Sequence, residues 1–476
     1  MAEYIDDKEI KRQKEFIYKI KELNQRFANE KGRTPLANTE TYGCQQNEND
    51  TERIRGMLKE AGFDFCPDAK DADVVIYNTC AVRENAEQKV FGRLGILKHI
   101  KETKPEMIIG ICGCMVQQES ITEKIRKVHP QVDLIFGTHA LYSFPELLYQ
   151  AMTDKKNRVV DIHDSDGMIA EDIPILRDCS QKAWVSVMYG CNNFCSYCIV
   201  PYVRGRERSR TKEAILNEVK ELVANGCSEI SLLGQNVNSY GNDLDEDIDF
   251  AKLLRMVNDV PGVERIRFMT SHPKDLSDDL IDAIAECDKV CKQLHLPVQA
   301  GNDRVLKEMN RKYTKEQYLE KIRKVKQKIP NISLSTDIIV GFPTETNEDF
   351  EDTLDVLRKV EYDNIFSFIY SRREGTPAAK LDFVLSEEEI HNNFNRLLEV
   401  QNEISKKKND AYIGRTERVL VDGTSKNNDD MLSGRCDSSK IVNFKGDKSL
   451  VGKYVNVKIT EAHTWSLNGE LVDEQK

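Results

Sequence analysis

Residues 190–201 read Gly190-Cys191-Asn192-Asn193-Phe194-Cys195-Ser196-Tyr197-Cys198-Ile199-Val200-Pro201. The segment follows a strand-like apolar run at 184–188, which predicts that its cysteines lie on a loop at the carboxyl end of a strand. Three thiolates fill three corners of a cubane iron–sulfur cluster and leave the fourth iron open. An open iron can bind a small molecule such as S-adenosylmethionine and give it one electron. Cys191, Cys195 and Cys198 are therefore our candidate ligands of a [4Fe–4S] cluster.

The main alternatives for these three cysteines are a structural zinc site and a loop of unligated thiols. Structural zinc uses four ligands, usually as two close pairs of cysteine or histidine, and no second pair stands at a suitable spacing in this sequence. The chain has 13 Cys in 476 residues. If the protein stays in a reducing compartment, metal ligation is a more common role for such cysteines than disulfide formation. The spacing therefore favours the open iron–sulfur cluster.

The part of the sequence before this motif alternates between strand-like and helical patterns. Strand-like runs occur at 39–43, 74–78, 107–111 and 133–137. One strand in roughly every 35 residues, with helices between, is typical of an open parallel sheet. We therefore predict a flavodoxin-like parallel sheet over residues 37–153.

Three further cysteines stand at the ends of the first three of these strands: Cys44, Cys80 and Cys114. The carboxyl ends of parallel strands emerge on one edge of the sheet, so we expect these side chains to be neighbours in space. They are candidate ligands of a second, auxiliary [4Fe–4S] cluster, again with one open iron. Burial of three small side chains in a sheet is the alternative. Cys112 offers another thiol at the same strand end, and spacing alone does not choose between it and Cys114.

The central part of the chain, residues 177–407, contains a longer series of the same kind. Six strand-like runs alternate with helical patterns at 184–188, 229–233, 265–269, 293–297, 336–340 and 365–369. Six units predict a partial (β/α)6 barrel, a relative of the eight-unit barrel whose chemistry lies at the carboxyl ends of its strands. The cysteine loop after the first strand would then lie at the barrel mouth.

The two ends of the chain have other patterns. Residues 1–36 are charged, with apolar residues at helical spacing, which predicts an amphipathic helix packed on the body or on a partner. Residues 410–474 contain short strand-like runs at 418–421, 441–444 and 454–459 separated by turn residues. These runs predict a small β-barrel of the kind that binds RNA. The predicted fold class is therefore α/β with a terminal β-barrel.

Composition restricts the possible locations and partners. The formal net charge is −11, which argues against nucleic-acid binding by bulk attraction but allows a local basic site. No apolar run approaches 18 residues, and no apolar stretch follows a basic start, so we predict neither a membrane span nor a signal peptide. We expect a cytoplasmic protein, monomeric and without a membrane partner.

Six segments carry a shared pattern: Thr41-Tyr42-Gly43-Cys44-Gln45-Gln46-Asn47, Asn78-Thr79-Cys80-Ala81-Val82-Arg83-Glu84, Gly113-Cys114, the run from Gly190 to Glu207, Leu294-His295-Leu296-Pro297-Val298-Gln299 and Thr336-Asp337-Ile338-Ile339-Val340-Gly341-Phe342-Pro343. Together they resemble one family, the methylthiotransferases of the radical-SAM superfamily. The resemblance runs in order from about residue 38 to 465. Gln46, Thr344 and Arg373 stand where the family usually has other residues.

The resemblance implies an activity. It is strongest to the branch that methylthiolates C2 of N6-isopentenyladenosine beside the anticodon of tRNA, and the terminal barrel resembles a TRAM domain. It implies two [4Fe–4S] clusters and two uses of S-adenosylmethionine, as radical source and as methyl donor. It also implies Cys114 rather than Cys112 as the third auxiliary ligand. An external one-electron reductant and a sulfur or iron–sulfur donor would be further partners.

Two questions stay open at the level of sequence. Related enzymes modify threonylcarbamoyladenosine in tRNA or an aspartate of a small-subunit ribosomal protein, and a non-enzymatic iron–sulfur RNA-binding scaffold is a different class of function. The run Arg204-Gly205-Arg206-Glu207-Arg208-Ser209-Arg210 is expected to contact tRNA phosphates, because arginine guanidinium groups match phosphate geometry. Internal ion pairs are the alternative for that run.

Overall fold

The computed structural model describes residues 3–82, 84–154, 157–162, 167–177, 181–426 and 428–472. Arg83, in the second quoted motif, lies outside the described residues. Among the described residues, no helix has both the length and the apolar character that crossing a membrane requires. The elements are numbered in chain order below, as β1 to β19 and α1 to α13.

The chain begins with a long helix, α1 (Asp7–Lys31), as the sequence predicts. Asp6 caps its amino end by accepting a hydrogen bond from the Glu9 amide. Ile17 and Ile20 are buried, and they belong to the same apolar core as the neighbouring sheet. The helix therefore packs on the body of the protein.

The amino-terminal sheet has six parallel strands in the order β2-β1-β3-β4-β5-β6. The first five strands have the flavodoxin-like order 2-1-3-4-5, and β6 extends the sheet at one edge. The predicted sheet is therefore confirmed. Two short edge strands, β2 and β6, were not predicted, because runs of two or three residues carry little periodic signal. The bounds are β1 (Leu36–Tyr42), β2 (Asp64–Phe65), β3 (Val74–Thr79), β4 (Ile108–Gly113), β5 (Leu134–Phe136) and β6 (Val159–Asp161).

Helices cover both faces of this sheet, and separate apolar cores lie on the two sides. A parallel sheet needs this cover because its strands are buried on both faces; all six residues of β3 and all six of β4 are buried. The helices are α2 (Gln45–Glu60), α3 (Glu84–Thr103), α4 (Glu119–Val128) and α5 (Phe144–Thr153).

The central part contains the six predicted strands in two parallel sheets, β11-β10-β7 and β12-β13-β14. An isolated β-bridge between Ile266 of β11 and Val290 connects the first sheet to the segment that precedes β12 in the second. One continuous apolar core fills this partial barrel. The strands are β7 (Lys182–Ser186), β10 (Glu229–Leu233), β11 (Arg265–Phe268), β12 (Gln293–His295), β13 (Ser333–Val340) and β14 (Asn364–Ile369).

Helices surround the partial barrel, and several begin with side-chain caps. Thr314, Thr346 and Ser386 form capping boxes at the starts of α11, α12 and α13. A short antiparallel pair, β8 (Met188–Tyr189) with β9 (Arg208–Ser209), encloses the cysteine loop. The helices are α6 (Val200–Arg204), α7 (Lys212–Ala224), α8 (Phe250–Asn258), α9 (Asp278–Glu286), α10 (Asp303–Glu308), α11 (Lys315–Lys328), α12 (Asn347–Val360) and α13 (Glu387–Asp410).

The carboxyl-terminal strands form a closed barrel in the order β15-β16-β17-β19-β18. The barrel is as predicted, with two strands, β16 and β19, beyond the three that were expected. It docks on the central sheet through Arg265 and Arg267, whose guanidinium groups donate to the carbonyls of Arg418 and Cys436 at 3.0 and 2.8 Å. The strands are β15 (Thr416–Ser425), β16 (Asn428–Arg435), β17 (Ile441–Phe444), β18 (Tyr454–Ala462) and β19 (Leu467–Leu471).

Candidate functional site: two cysteine triplets

Cys191, Cys195 and Cys198 lie on the loop between β8 and α6. Gly190 enters the loop with a φ of +76°, and a Cβ there would meet the carbonyl oxygen of Arg206 at 1.9 Å. The Cys191 amide donates to the Gly205 carbonyl at 3.1 Å, which closes the base of the loop. Only glycine satisfies both the backbone conformation and this close approach.

Two sulfur atoms of this triplet accept hydrogen bonds from N–H groups. Asn193 Nδ2 donates to Cys191 Sγ at 3.4 Å, and Arg311 Nη1 donates to Cys195 Sγ at 3.4 Å. Burial raises the pKa of the Cys191 thiol to about 11 and that of Cys198 to about 12, and the neighbouring Cys195 adds to both shifts. Without a metal these two groups stay protonated at neutral pH, whereas metal coordination deprotonates a thiol.

The second triplet forms because three strands end at the same level. Tyr42 pairs with Thr79, and Thr79 pairs with Gly113. Cys44 follows β1 by two residues, whereas Cys80 and Cys114 directly follow β3 and β4. The register therefore brings the three predicted cysteines to one edge of the sheet, although they are up to 70 residues apart in the chain.

Two asparagines hold this sheet edge together. Asn47 Nδ2 donates to Asn78 Oδ1 at 2.8 Å, and Asn78 Nδ2 returns a bond to the Asn47 carbonyl at 2.9 Å. Gly113 has a φ of +99°, and a Cβ there would meet Asn78 Oδ1 at 2.3 Å. These contacts fix the turn after β1 against the ends of β3 and β4.

The sulfur atoms of the second triplet also have polar neighbours. The Val82 amide donates to Cys80 Sγ at 3.3 Å, and Arg204 Nε donates to Cys114 Sγ at 3.1 Å. Burial raises the pKa of Cys114 to about 12; the Arg204 charge opposes the shift, and Cys80 and Cys44 increase it. The three thiols are thus close enough to influence one another electrostatically.

Cys112 lies in different surroundings from Cys114. Cys112 packs in the apolar core that α1 and α2 share with the sheet, whereas Cys114 packs with Ala81, Ile199 and Val203. The positive φ of Gly113 interrupts the strand alternation between the two cysteines. Burial raises the pKa of Cys112 well above its usual value, as expected for a thiol in an apolar core.

The donor set of each triplet fits an iron–sulfur cluster. A cubane cluster spreads its thiolates over different irons, and hydrogen bonds to the sulfurs are a usual feature of such sites. Three thiols per site, with N–H donors on two sulfurs of each triplet, meet that requirement.

The segment that follows the first triplet packs against the second. Ile199 and Val203 pack against Ala81 and Cys114, so the segment that follows Cys198 contacts the edge of the amino-terminal sheet. Gln46 Nε2 donates to Ser186 Oγ at 2.9 Å and links α2 to β7. Gln46, which departs from the family's usual residue, therefore takes part in the contact between the sheet and the partial barrel.

Polar side chains lie at the barrel mouth, and sequence reasoning missed two of them, Ser271 and His272. Thr270, after β11, has a φ of +66°, a rare conformation for a β-branched residue. Beside it, the buried atoms Ser271 Oγ, His272 Nε2 and Asn236 Oδ1 make no hydrogen bond within the described structure. Burial and the Arg311 charge lower the pKa of His272 to about 2. The imidazole is therefore neutral and can bond to a bound molecule.

The arginine run after the first triplet does not form the predicted phosphate-binding surface. Arg204, Arg208 and Arg210 are buried, and Arg210 pairs with Glu171 and Glu218 at 2.6 and 2.7 Å. Arg206 is exposed and lies over the Phe194 ring at 4.4 Å. The expectation was wrong for three of the four arginines: Arg204 and Arg210 pair with carboxylates from other parts of the chain, and Arg208 donates to the carbonyls of Arg204 and Arg206.

Comparison with protein families gives three matches in chain order. Residues 37–137 match the uncharacterized protein family UPF0004, residues 185–357 match the radical SAM superfamily, and residues 410–472 match the TRAM domain. The superfamily match implies a [4Fe–4S] cluster and S-adenosylmethionine.

Curated relatives match nearly the whole chain. A tRNA-2-methylthio-N(6)-dimethylallyladenosine synthase of Acetivibrio thermocellus is 57% identical over 469 residues, covering 98% of this chain and 98% of that protein. The protein of the same name from Clostridioides difficile is 54% identical, covering 98% and 97%. That of Thermoanaerobacter pseudethanolicus is 50% identical, covering 99% and 98%.

Solved structures support the fold at much lower identity. A radical S-adenosylmethionine methyltransferase, TsrM, from Kitasatospora setae has a TM-score of 0.52 at 12% identity, covering 73% of this chain and 77% of that one. This likeness bears on the fold alone. With the near-complete matches to curated relatives, the order of the three matched regions leads to one assignment: the chain belongs to the tRNA-2-methylthio-N(6)-dimethylallyladenosine synthase family of the radical SAM superfamily.

Proposed function

We propose that the protein methylthiolates C2 of N6-isopentenyladenosine beside the anticodon of tRNA. The observation that carries this proposal is the pair of cysteine triplets joined by the packing of Ile199 and Val203 on Cys114, in a chain whose relatives bear the name of that synthase. C2 of the adenine ring carries an aromatic C–H bond that acid–base catalysis does not activate at neutral pH. Radical chemistry and a sulfur source side by side suit the task.

The proposed ligands are six cysteines in two sets. Cys191, Cys195 and Cys198 would hold the [4Fe–4S] cluster that binds S-adenosylmethionine; Cys44, Cys80 and Cys114 would hold the auxiliary [4Fe–4S] cluster. The clusters and S-adenosylmethionine, when bound, supply electron transfer, hydrogen abstraction, sulfur and the methyl group.

The protein's own part is to hold these groups and exclude water. Buried Arg311 and Asn193 donate to sulfurs of the first triplet, and Val82 and Arg204 donate to sulfurs of the second. The unpartnered polar atoms of Ser271, Asn236 and neutral His272 offer hydrogen bonds to a molecule at the barrel mouth. A fixed, desolvated arrangement of this kind strengthens every electrostatic contact to the bound groups.

The tRNA would contact several parts of the chain. An unpaired loop base is easier to extrude than a paired one, so the adenine beside the anticodon can reach a barrel mouth.

We propose that the protein has four domains, residues 1–36, 37–153, 177–407 and 410–474. The last of them would bind tRNA outside the site. Arg206, exposed beside the first triplet, is the proposed phosphate contact of its segment.

The remaining partners and the location are part of the same proposal. The reaction needs an external one-electron reductant and a sulfur or iron–sulfur donor. We propose that the protein works in the cytoplasm as a monomer. The related substrates, threonylcarbamoyladenosine in tRNA and a ribosomal-protein aspartate, have weaker support. Each of the relatives described above is named for N(6)-dimethylallyladenosine, which is the same nucleoside as N6-isopentenyladenosine.

Nucleoside mass spectrometry of tRNA from a deletion strain tests the substrate. We expect loss of 2-methylthio-N6-isopentenyladenosine and accumulation of N6-isopentenyladenosine, both reversed by the wild-type gene and not by the Cys191→Ala gene. Retention of the methylthio group in the deletion strain would refute the substrate assignment. Reconstituted protein with reductant and S-adenosylmethionine tests the enzyme class: failure to form 5′-deoxyadenosine would favour the non-enzymatic scaffold.

A further inference from the structure

Arg204 belongs to the segment that follows the first cysteine triplet and contacts a cysteine of the second. It is the last residue of α6, six positions after Cys198, and 6% of its surface is exposed. Burying a guanidinium group is costly unless it is paired and hydrogen-bonded, so its partners show what holds it there.

The partners are a carboxylate and a cysteine sulfur. Arg204 Nη2 lies 2.8 Å from Asp50 Oδ2 on α2, and Arg204 Nε donates to Cys114 Sγ at 3.1 Å. Asp50 is itself 7% exposed and accepts a further bond from Gln46 Nε2 at 3.3 Å. The guanidinium group is thus fixed from one side by the carboxylate while its Nε–H points at the sulfur.

This arrangement has an electrostatic consequence for a cluster bound through Cys114. Reduction adds one negative charge to the cluster, and a hydrogen bond or positive charge at a ligand sulfur stabilises the added charge. The effect is strong in a site that excludes water. Asp50 offsets part of it, because its negative charge lies on the far side of the same guanidinium group.

A second buried arginine has the same relation to the other triplet. Arg311 Nη1 donates to Cys195 Sγ at 3.4 Å, and 7% of the Arg311 surface is exposed. Each triplet therefore has one buried guanidinium group on one sulfur. The difference is that Arg204 belongs to the segment of one triplet and bonds to a cysteine of the other.

We infer that Arg204 is a positioning residue that holds Cys114 against the segment of the first triplet and raises the reduction potential of the auxiliary cluster. The inference rests on the auxiliary cluster of the proposed function. The positive charge on Arg204, partly offset by the negative charge on Asp50, sets how readily the auxiliary cluster accepts an electron.

The test uses the full chain with Cys191, Cys195 and Cys198 all changed to alanine, so that only the auxiliary cluster remains. Iron and sulfide content is measured first, and the midpoint potential is then measured by redox titration followed by electron paramagnetic resonance. Arg204→Gln, Asp50→Asn and, as matched control, Arg206→Gln are introduced into this protein. The control removes the same charge two residues away, from an exposed side chain.

We expect Arg204→Gln to weaken reduction at least tenfold, a downward shift of about 59 mV for one electron. Asp50→Asn should shift the potential upward, and Arg206→Gln should leave it unchanged. An unchanged or raised potential in Arg204→Gln overturns the inference. If that variant fails to take up a cluster, Asp50→Asn decides, since an unchanged or lowered potential there overturns it as well. A triple-alanine parent without any cluster would instead overturn the proposed auxiliary site.

Discussion

Arg210 and Glu218 form an ion pair inside the protein, with 2.7 Å between Arg210 Nη1 and Glu218 Oε2. Arg210 Nη2 pairs with Glu171 at 2.6 Å, and Arg210 Nη1 also donates to the Ser186 carbonyl at 2.8 Å. Burial raises the pKa of Glu218, but the charges of nearby arginines, Arg210 first among them, outweigh it and hold the pKa below its usual value. This arginine supports the strand that leads to the first cysteine triplet.

Arg210→Met should therefore reduce stability strongly. The substitution removes one of the two ion-pair partners of the buried Glu218 carboxylate and leaves Arg177 Nη2, at 2.7 Å, as the other; the lost bond should cost about 1–3 kcal/mol. The thermal midpoint Tm of the reconstituted protein measures the effect. Arg206→Met is the control, because its exposed charge should change stability by less than about 0.5 kcal/mol. Equal Tm values for the two variants would contradict the assigned role of Arg210.

The sequence predicts the position of the second cysteine triplet but not the burial of three of the four arginines in residues 204–210. The strand ends at Cys44, Cys80 and Cys114 were predictable, because each follows a strand-like run and parallel strands share one carboxyl edge. The burial of Arg210 was not, because its partners Glu171 and Glu218 have no local pattern that marks them as interior. The contact of Arg204 with Cys114 joins residues 90 positions apart, so no sequence window contains it.

Arg206 should contribute to tRNA binding without affecting stability. Its side chain is exposed beside the first triplet, and an arginine on a phosphate releases about one counterion. Arg206→Ala should weaken binding of anticodon stem-loop RNA and reduce the slope of log K against log salt concentration by about 1. Fluorescence anisotropy at several salt concentrations measures both. Wild-type affinity and slope in the variant would show that Arg206 makes no phosphate contact.

Cys114 and Cys112 differ in their expected effect on iron content. Cys114 lies with Ile199 and Val203 beside the first triplet, whereas Cys112 lies in the apolar core. Cys114→Ala should lose about one of the two clusters and abolish methylthiolation, while formation of 5′-deoxyadenosine continues. Cys112→Ala should retain both clusters. Iron analysis after reconstitution distinguishes them, and the reverse pattern would assign the third thiolate to Cys112.

Gly190→Ala should disrupt the first triplet. A Cβ at Gly190 would meet the Arg206 carbonyl oxygen at 1.9 Å and its carbon at 2.5 Å, so the backbone on one side of the cysteine loop must move. Gly226→Ala is the matched control, because Gly226 also has a positive φ, of +91°, but a Cβ there meets nothing within 4 Å. Both variants incur the conformational cost of about 1 kcal/mol, and only Gly190→Ala should lose iron and 5′-deoxyadenosine formation. Equal iron content in both would show that the loop tolerates the displacement.

Glu345→Gln should change how stability depends on pH. Glu345 is 1% exposed and accepts a hydrogen bond from the Gly341 amide at 2.6 Å, and burial raises its pKa to about 8. Between the usual carboxyl pKa of about 4.3 and that value, the folded protein keeps a proton that the unfolded chain releases. Stability of the wild-type protein therefore falls with rising pH, by at most about 1.4 kcal/mol per pH unit from this group, and the loss ends above pH 8.

The glutamine variant lacks this titration, so its Tm should rise relative to that of the wild type as the pH increases from 5.5 to 8. Glu399→Gln, a change at an exposed carboxyl on α13, is the control and should keep a constant difference in Tm over the same range. Thermal melts of reconstituted protein at several pH values test the pair. If the difference between the wild type and Glu345→Gln does not change with pH, the Glu345 carboxyl is ionised in the folded protein throughout this range.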